Sequence, residues 1–304
     1  MRCRTLAAIA FSLVTLVCTA PQALAASQLP VIYNGIYGYA HASPTASPPG
    51  ANNWACKPSA AHPDPVILVH GTFADMSDSW QALSPLLYNN GYCVFALNYG
   101  SYNGSGTVGI YATGPIENSA KQLQAFVNRV RAATGASKVD LVGHSQGGMM
   151  PRYYIKHLGG ASTVHTLVGL APSNHGTTLN GIFTLAGHFP GSNVLLSDCP
   201  ACQEQEAGSP FITSLNAGGE TNPSVNYTVI ESKNDEVVTP YTSAFLAPAS
   251  NVTNILLQDQ CALDQGEHLS MPYDHIADAD VLTALDPADP QHPACTPVLP
   301  VSGG

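Results

Sequence analysis

The chain has 304 residues, and its 10 Lys and Arg stand against 20 Asp and Glu, a formal charge of −10. That balance leaves no electrostatic footprint for nucleic acid, and anionic membranes would repel it. Charged residues make up only 10% of the chain while glycine and proline number 27 and 24, which suits a loop-rich, exported globular protein.

Residues 1–25 read as a secretory signal. Arg2 and Arg4 supply the charged start, Leu6 to Val17 the apolar run, and Ala23-Leu24-Ala25 a small-residue cleavage site. The apolar run is too short for a membrane helix. Val17 is bulkier than lipoprotein processing at Cys18 normally accepts, so extracellular export with no membrane anchor is expected. Cleavage near Ala25 leaves 279 of the 304 residues, in which eight basic residues face 20 acidic ones, a charge of −12. This length, residues 26–304, suffices for one large α/β domain with a full core. Six cysteines remain, Cys56, Cys93, Cys199, Cys202, Cys261 and Cys295. An even number in an exported chain favours disulfides, and sequence alone leaves about 15 pairings open. Cys199-Pro-Ala-Cys202 lacks a matching Cys/His pair for zinc and a thioredoxin-like surround, so a short staple is expected.

Ser27 to Pro65 is rich in Pro, Ser, Ala and Gly and predicts an irregular surface lead-in pinned by Cys56. Pro65 to Val69 is a β-branched run typical of a strand buried on both faces, and it ends at His70-Gly71-Thr72. Ser77 to Asn90 predicts one helix with Trp80, Leu83 and Leu87 on a single face, stopped by Gly91. Tyr92 to Leu97 is a second buried strand. After a Gly-rich loop, Ile116, Ala120, Leu123, Val127 and Val130 mark a helix whose C-cap is Gly135. Lys138 to Gly148 then runs from strand residues into Gly143-His144-Ser145-Gln146-Gly147. A helix over Met149 to Leu158 follows, with Pro151 tolerated in its first turn. Thr163 to Leu170 and Tyr227 to Glu231 are further strands. Strands alternating with helices argue for a mostly parallel, doubly wound α/β sheet. Asn180 to Gly208 breaks the rhythm, with Ile182, Phe183, Leu185, Phe189, Leu195 and Leu196 among glycines. It reads as a surface excursion or as a small lid over a site.

Gly-x-Ser-x-Gly between a strand and a helix is the pattern of a nucleophile elbow, although five letters alone are weak. A serine hydroxyl needs a histidine to take its proton, and the histidine a carboxylate to hold its tautomer. On a doubly wound sheet of this type the chain order is Ser, then acid, then His. Asp235, in the loop past the Tyr227 to Glu231 strand, is the expected acid, with Glu231 and Glu236 as fallbacks. His268, in a loop after the apolar stretch Val252 to Leu257, is the expected base, ahead of His275 at the start of the closing helix and His292 in a Pro-rich tail. His144, His157, His165 and His188 are not expected to act as the base. The oxyanion donors would be the N–H groups of Gln146 and Thr72, with the Thr72 hydroxyl as a further donor.

His70-Gly71-Thr72-Phe73, Gly143 to Met149, Asn174-His175-Gly176-Thr177-Thr178 and Asp235 to Pro240 together resemble secreted bacterial lipases of the class 2 type. More distantly, the chain is similar to lipases of the Candida antarctica lipase B type. There, similar segments include a short Leu-rich helix like Ser209 to Asn216, and a Thr stands where this chain has Gly143. The resemblance implies an α/β-hydrolase fold with Ser145 as nucleophile, Asp235 as acid, His268 as base, and Thr72 and Gln146 as oxyanion donors. It also implies the disulfides Cys56–Cys93, Cys199–Cys202 and Cys261–Cys295. The expected activity is hydrolysis of carboxylic esters, lipid esters first, by a monomer that needs no metal or cofactor and meets its substrate free or at a lipid–water interface. Alternatives of the same fold are a short-chain esterase, a polyester hydrolase, a secreted acyltransferase and a non-catalytic binding module.

Overall fold

Six short strands form one sheet in this computed structural model, which describes residues 27–189, 191 and 196–304. They are β1 (Val66–Val69), β2 (Val94–Leu97), β3 (Val139–His144), β4 (Val164–Leu170), β5 (Asn226–Glu231) and β6 (Val252–Leu256). Their order is β2-β1-β3-β4-β5-β6 and every pair is parallel. Parallel neighbours need crossover helices, which cover both faces, so the strands must be apolar on both sides. The side chains accordingly divide with period two: Ile67, Val69, Phe95, Leu97 and Leu141 join one core cluster. Val66, Leu68, Val94, Ala96 and Val142 join the other.

Four helices build most of the two flanking layers. On one face lie α4 (Ile116–Thr134) and α5 (Gln146–His157), which bring Leu123, Val127, Met149 and Tyr154 into the first cluster. On the other lie α3 (Leu83–Asn89) and α10 (His275–Leu285), contributing Leu83, Leu87, Ile276 and Val281. Expected strands and the Ile116–Thr134 helix stand where the patterns placed them, with Gly135 as C-cap at φ 83°. The shorter elements are α1 (Gly35–His41), α2 (Met76–Ser79), α6 (Leu179–His188), α7 (Pro200–Glu204), α8 (Pro210–Asn216) and α9 (Leu257–Gln260).

Several expectations need correction. The single helix over Ser77 to Asn90 is two, α2 and α3, separated at Trp80–Ala82. Pro85 is the physical reason: it has no N–H for the Gln81 carbonyl, and its ring would collide with that carbonyl in a continuous helix. Asp75 and Asp78 close a capping box that starts α2 independently. The helix after the elbow begins at Gln146, three residues earlier than its apolar pattern suggests, so Pro151 sits in its interior. The lead-in is not wholly irregular, because α1 interrupts it. A helix with two glycines has weak intrinsic preference, but here they allow contact: a β-carbon on Gly38 would lie 1.9 Å from the Tyr273 hydroxyl oxygen. Asn180 to Gly208 contains most of α6 and all of α7. Leu195 and the export signal at residues 1–25 lie outside the described residues. Among the described residues no helix is long and apolar enough to cross a membrane.

Three disulfides join Cys56 to Cys93, Cys199 to Cys202 and Cys261 to Cys295. The first ties the lead-in to the edge of the sheet, and the third ties the C-terminal tail to α9. Their sequence separations are 37, 3 and 34 residues. Loop closure in the unfolded chain then makes the long bridges worth about 4 kcal/mol and the short one about 2 kcal/mol. Replacing Cys261 and Cys295 together by serine should therefore lower the unfolding free energy in urea about twice as much as replacing Cys199 and Cys202. Equal losses would show that loop entropy does not set their contribution.

Candidate active site

Strand β3 lies in the middle of the sheet and ends at His144, and α5 starts at Gln146, so one residue makes the whole turn. That residue is Ser145, at φ 56° and ψ −123°. A side chain in that region is strained, and surrounding structure must hold it there. The Ser145 N–H donates to the Leu170 carbonyl, and its own carbonyl accepts from Gly148 and Met149. The chain passes too close to itself for side chains on either flank. A β-carbon on Gly143 would lie 1.8 Å from the Gly147 oxygen, and one on Gly147 would lie 2.0 Å from the Val69 oxygen. Pro151, in the interior of α5, has no N–H to offer the Gly147 carbonyl.

Asp235 and His268 come from the loops after β5 and β6, thirty-three residues apart in sequence. His268 Nδ1 donates to Asp235 Oδ2 at 2.7 Å, with both side chains fully buried. The other carboxylate oxygen, Oδ1, accepts the N–H groups of Val237 and Val238, each at 2.7 Å. Those bonds fix the plane of the carboxylate. Burial alone would lower the His268 pKa, but Asp235, helped by Glu236 and Glu267, outweighs it and raises the imidazole above its ordinary value of 6.5. The free ring nitrogen, Nε2, is buried and has no hydrogen-bond partner among the described residues. The link from it to Ser145 Oγ is thus not closed as a hydrogen bond, which is common before substrate binds. The residue beside the serine supports the base instead: His144 Nε2 donates to the His268 carbonyl at 2.8 Å.

The alternatives fall elsewhere. Glu231 ends β5 fully buried, and burial first, then the Asp235 charge, pushes its carboxyl well above the usual range. Its Oε1 accepts the Ser232 N–H rather than an imidazole. Glu236 faces His188 at 3.5 Å and is raised to about 7 by burial and by Glu267. His275 is tied to the carbonyls of Gly304 and Ala294 and pins the C-terminal tail. His292 lines a surface groove with Cys295, and His157 packs on Tyr153. His165 pairs with Asp64 at 3.0 Å, beside Asp140. Asp64, Asp140 and His165 are the one grouping among the described residues that could hold a metal ion, and they sit at the opposite ends of the strands from Ser145.

Thr72 follows β1 and is buried beside Ser145 at a nearly closed cavity of about 10 Å³. Its N–H and that of Gln146 make no hydrogen bond to the chain among the described residues. The turn at Thr72 depends on Phe73, buried at φ 68°, whose N–H donates to the Tyr111 carbonyl. Ile182, Leu185, Val237 and Val238 give the cavity apolar walls, while Ser173, Thr177 and Gln205 add polar ones. Gln205 was not visible as a site residue from sequence, because it follows the stapled turn in a segment with no periodic pattern. Its only signal was position within the Asn180 to Gly208 insertion. Ser145 itself is only 2% exposed. A larger groove of about 640 Å³ lies along β2 between Trp54, Phe126 and Arg129, and none of the expected site residues lines it.

The chain also matches known proteins in family and fold. Residues 63–274, well over half of the chain, match the family described as lipase (class 2). Two triacylglycerol lipases, from Pseudarthrobacter phenanthrenivorans and Burkholderia plantarii, are each 40% identical to this chain over 94 residues, 29% of its length. The matched stretch spans only 27% and 24% of those two proteins. Aspergillus fumigatus lipase B superposes with a TM-score of 0.57 at 21% identity, covering 79% of this chain and 55% of that one. The mature form of Bacillus licheniformis lipase BlEst2 gives 0.55 at 16% identity, covering 75% and 94%. These superpositions show an α/β-hydrolase fold. With that fold and a family match across the elbow, the acid loop and the histidine loop, the chain belongs to the class 2 lipases.

Proposed function

We propose that this protein is an exported serine hydrolase of carboxylic esters, triacylglycerols foremost, working through an acyl-enzyme on Ser145. The observation that carries the reading is the buried hydrogen bond from His268 to Asp235 beside a serine held at positive φ. His268 Nε2 takes the Ser145 proton as Oγ attacks the ester carbonyl. The N–H groups of Thr72 and Gln146 receive the oxyanion, and the start of α5 adds its positive dipole end. His268 then protonates the leaving alcohol and activates the water that releases the acid. The 40%-identical stretch shared with two triacylglycerol lipases supports the choice of substrate class. Three disulfides support an oxidising destination.

The segment that covers the serine acts as the lid. Ile182 and Leu185 of α6 wall the cavity, while Leu179 and Phe183 of the same helix are 55% and 59% exposed. With Ser145 nearly inaccessible, a bulky ester enters only if this helix shifts. Its outward apolar pair suits contact with an oil surface.

Replacing Ser145 by alanine should reduce turnover of a chromogenic ester by a factor on the order of 10⁴ or more while leaving the unfolding midpoint in place. Retained turnover would exclude the acyl-enzyme. The pH profile follows from His268, which must be neutral to accept the proton. Its pKa is raised, so kcat/KM should fall tenfold per pH unit below an apparent pKa above 6.5. A profile flat to pH 5 would exclude His268 as base. Changing Leu179 and Phe183 together to asparagine should slow hydrolysis of emulsified esters severalfold with little effect on a dissolved short-chain ester. Equal effects on both would argue against the surface role.

A further inference from the structure

Thr72 carries a hydroxyl whose bonding pattern is nearly complete. Gln146 Nε2 donates to Thr72 Oγ1 at 2.8 Å and Gln205 Nε2 donates to the same oxygen at 2.9 Å. A hydroxyl has two lone pairs and one proton. Both lone pairs are taken, and among the described residues no group of the chain accepts the proton. The proton is therefore left for the cavity that Thr72 shares with Ser145.

Each amide is oriented by a second partner. Gln146 Nε2 also donates to the Ala112 carbonyl at 2.9 Å, so turning that amide over would set oxygen against oxygen. Gln205 Oε1 accepts the Ser173 hydroxyl at 2.9 Å, and its Nε2 also donates to the Ala201 carbonyl at 3.1 Å. The backbone of Gln205 is clamped as well, since its carbonyl accepts the Thr177 N–H and its own N–H reaches Ala201, between the bridged Cys199 and Cys202. All of these side chains are buried, where an unmade or misdirected hydrogen bond is costly.

We infer that Gln205 is a positioning residue for the oxyanion site: together with the Gln146 side chain it saturates the Thr72 oxygen as an acceptor and compels its O–H to serve as a third donor to the substrate oxyanion. This rests on the acyl-enzyme reading of Ser145. It also gives the segment after the lid a chemical role, because the residue that sets the direction of a donor on the β1 loop is delivered from the far side of the cavity. The carbonyl oxygen of the ground-state ester is a weaker acceptor than the developing oxyanion, so the effect belongs in kcat rather than KM.

The test is a double-mutant cycle between Thr72 and Gln205, read on a water-soluble p-nitrophenyl ester, with active sites titrated by a fluorophosphonate. Thr72→Val should lower kcat about 10²-fold, the loss of one oxyanion donor. Gln205→Leu should lower it about tenfold with KM unchanged, as the freed lone pair lets the hydroxyl turn away. In the Thr72→Val background, Gln205→Leu should change kcat by less than about twofold, whereas Thr72→Ser, which keeps a hydroxyl, should retain the dependence on Gln205. Full kcat in Gln205→Leu, or the same tenfold loss in both backgrounds, would overturn the assignment. Should Gln205→Leu not fold, Ser173→Ala releases the amide instead and should cost about fivefold in kcat, again only when Thr72 carries its hydroxyl. A wild-type protein that neither turns over nor labels would overturn the Ser145 reading and this one together. A labelled, active protein without the coupling overturns only the role of Gln205.

Discussion

Among the described glycines, Gly143 leaves the least room for a β-carbon, and that crowding shapes the serine turn. Strand β3, strand β1 and the start of α5 meet with no room for a side chain at Gly143 or Gly147, and Ser145 is the residue pushed outward by that contact. The energy that holds the strained φ comes from what surrounds it. The strand beneath is buried along its whole length, and the helix behind packs Met149, Met150 and Tyr154 into the core. The site is precise because the sheet is stable, and the cost of the turn is carried by residues that never meet substrate.

Around that turn, loops from separate strands must agree in position, and buried polar bonds enforce the agreement. Asp235 is fixed by the N–H groups of the next turn, and the His268 carbonyl is held by the imidazole next to the serine. Ser173 and Asn174 lie in a turn held from below by Arg152, whose guanidinium donates to Asn174 O and Oδ1 and to Asn216 Oδ1. Among the described residues no carboxylate pairs with that cation directly, and burial lowers its pKa to about 10. A buried group in such a net is worth most through the penalty for removing it, so the loops cannot drift independently.

What was legible in the sequence follows the range of the forces involved. Strands β1 to β5 and helix α4 could be read because their burial pattern is periodic and local. Ser145, Asp235 and His268 could be placed because chain order on this fold constrains them. The break between α2 and α3 at Trp80–Ala82 has a local signal in Pro85, but the apolar face of Trp80, Leu83 and Leu87 suggests one continuous helix. Helix α1 was hidden because its two glycines mean weak propensity in sequence and close packing on Tyr273 in space. Gln205 was illegible for a different reason. Its partners Thr72 and Ser173 lie 133 and 32 residues away, and no periodicity announces a hydrogen bond of that span. Among Glu231, Asp235 and Glu236 it is the hydrogen bond to His268 that sets Asp235 apart, since Glu231 is buried as well.

The histidines make the same point about environment in one place. His70, His144 and His268 are all buried within reach of the elbow, and by residue type alone each could be a base. His70 stacks on Tyr99 with no carboxylate beside it, and burial lowers it to about 4. His144 is lowered well below its ordinary value by burial and by the neighbouring His268, and its Nε2 donates to the His268 carbonyl. Only His268 has a carboxylate on one ring nitrogen, and only its pKa rises. With His70 and His144 both lowered, the positive charge that the proposed mechanism places on His268 would be offset by Asp235, Glu236 and Glu267.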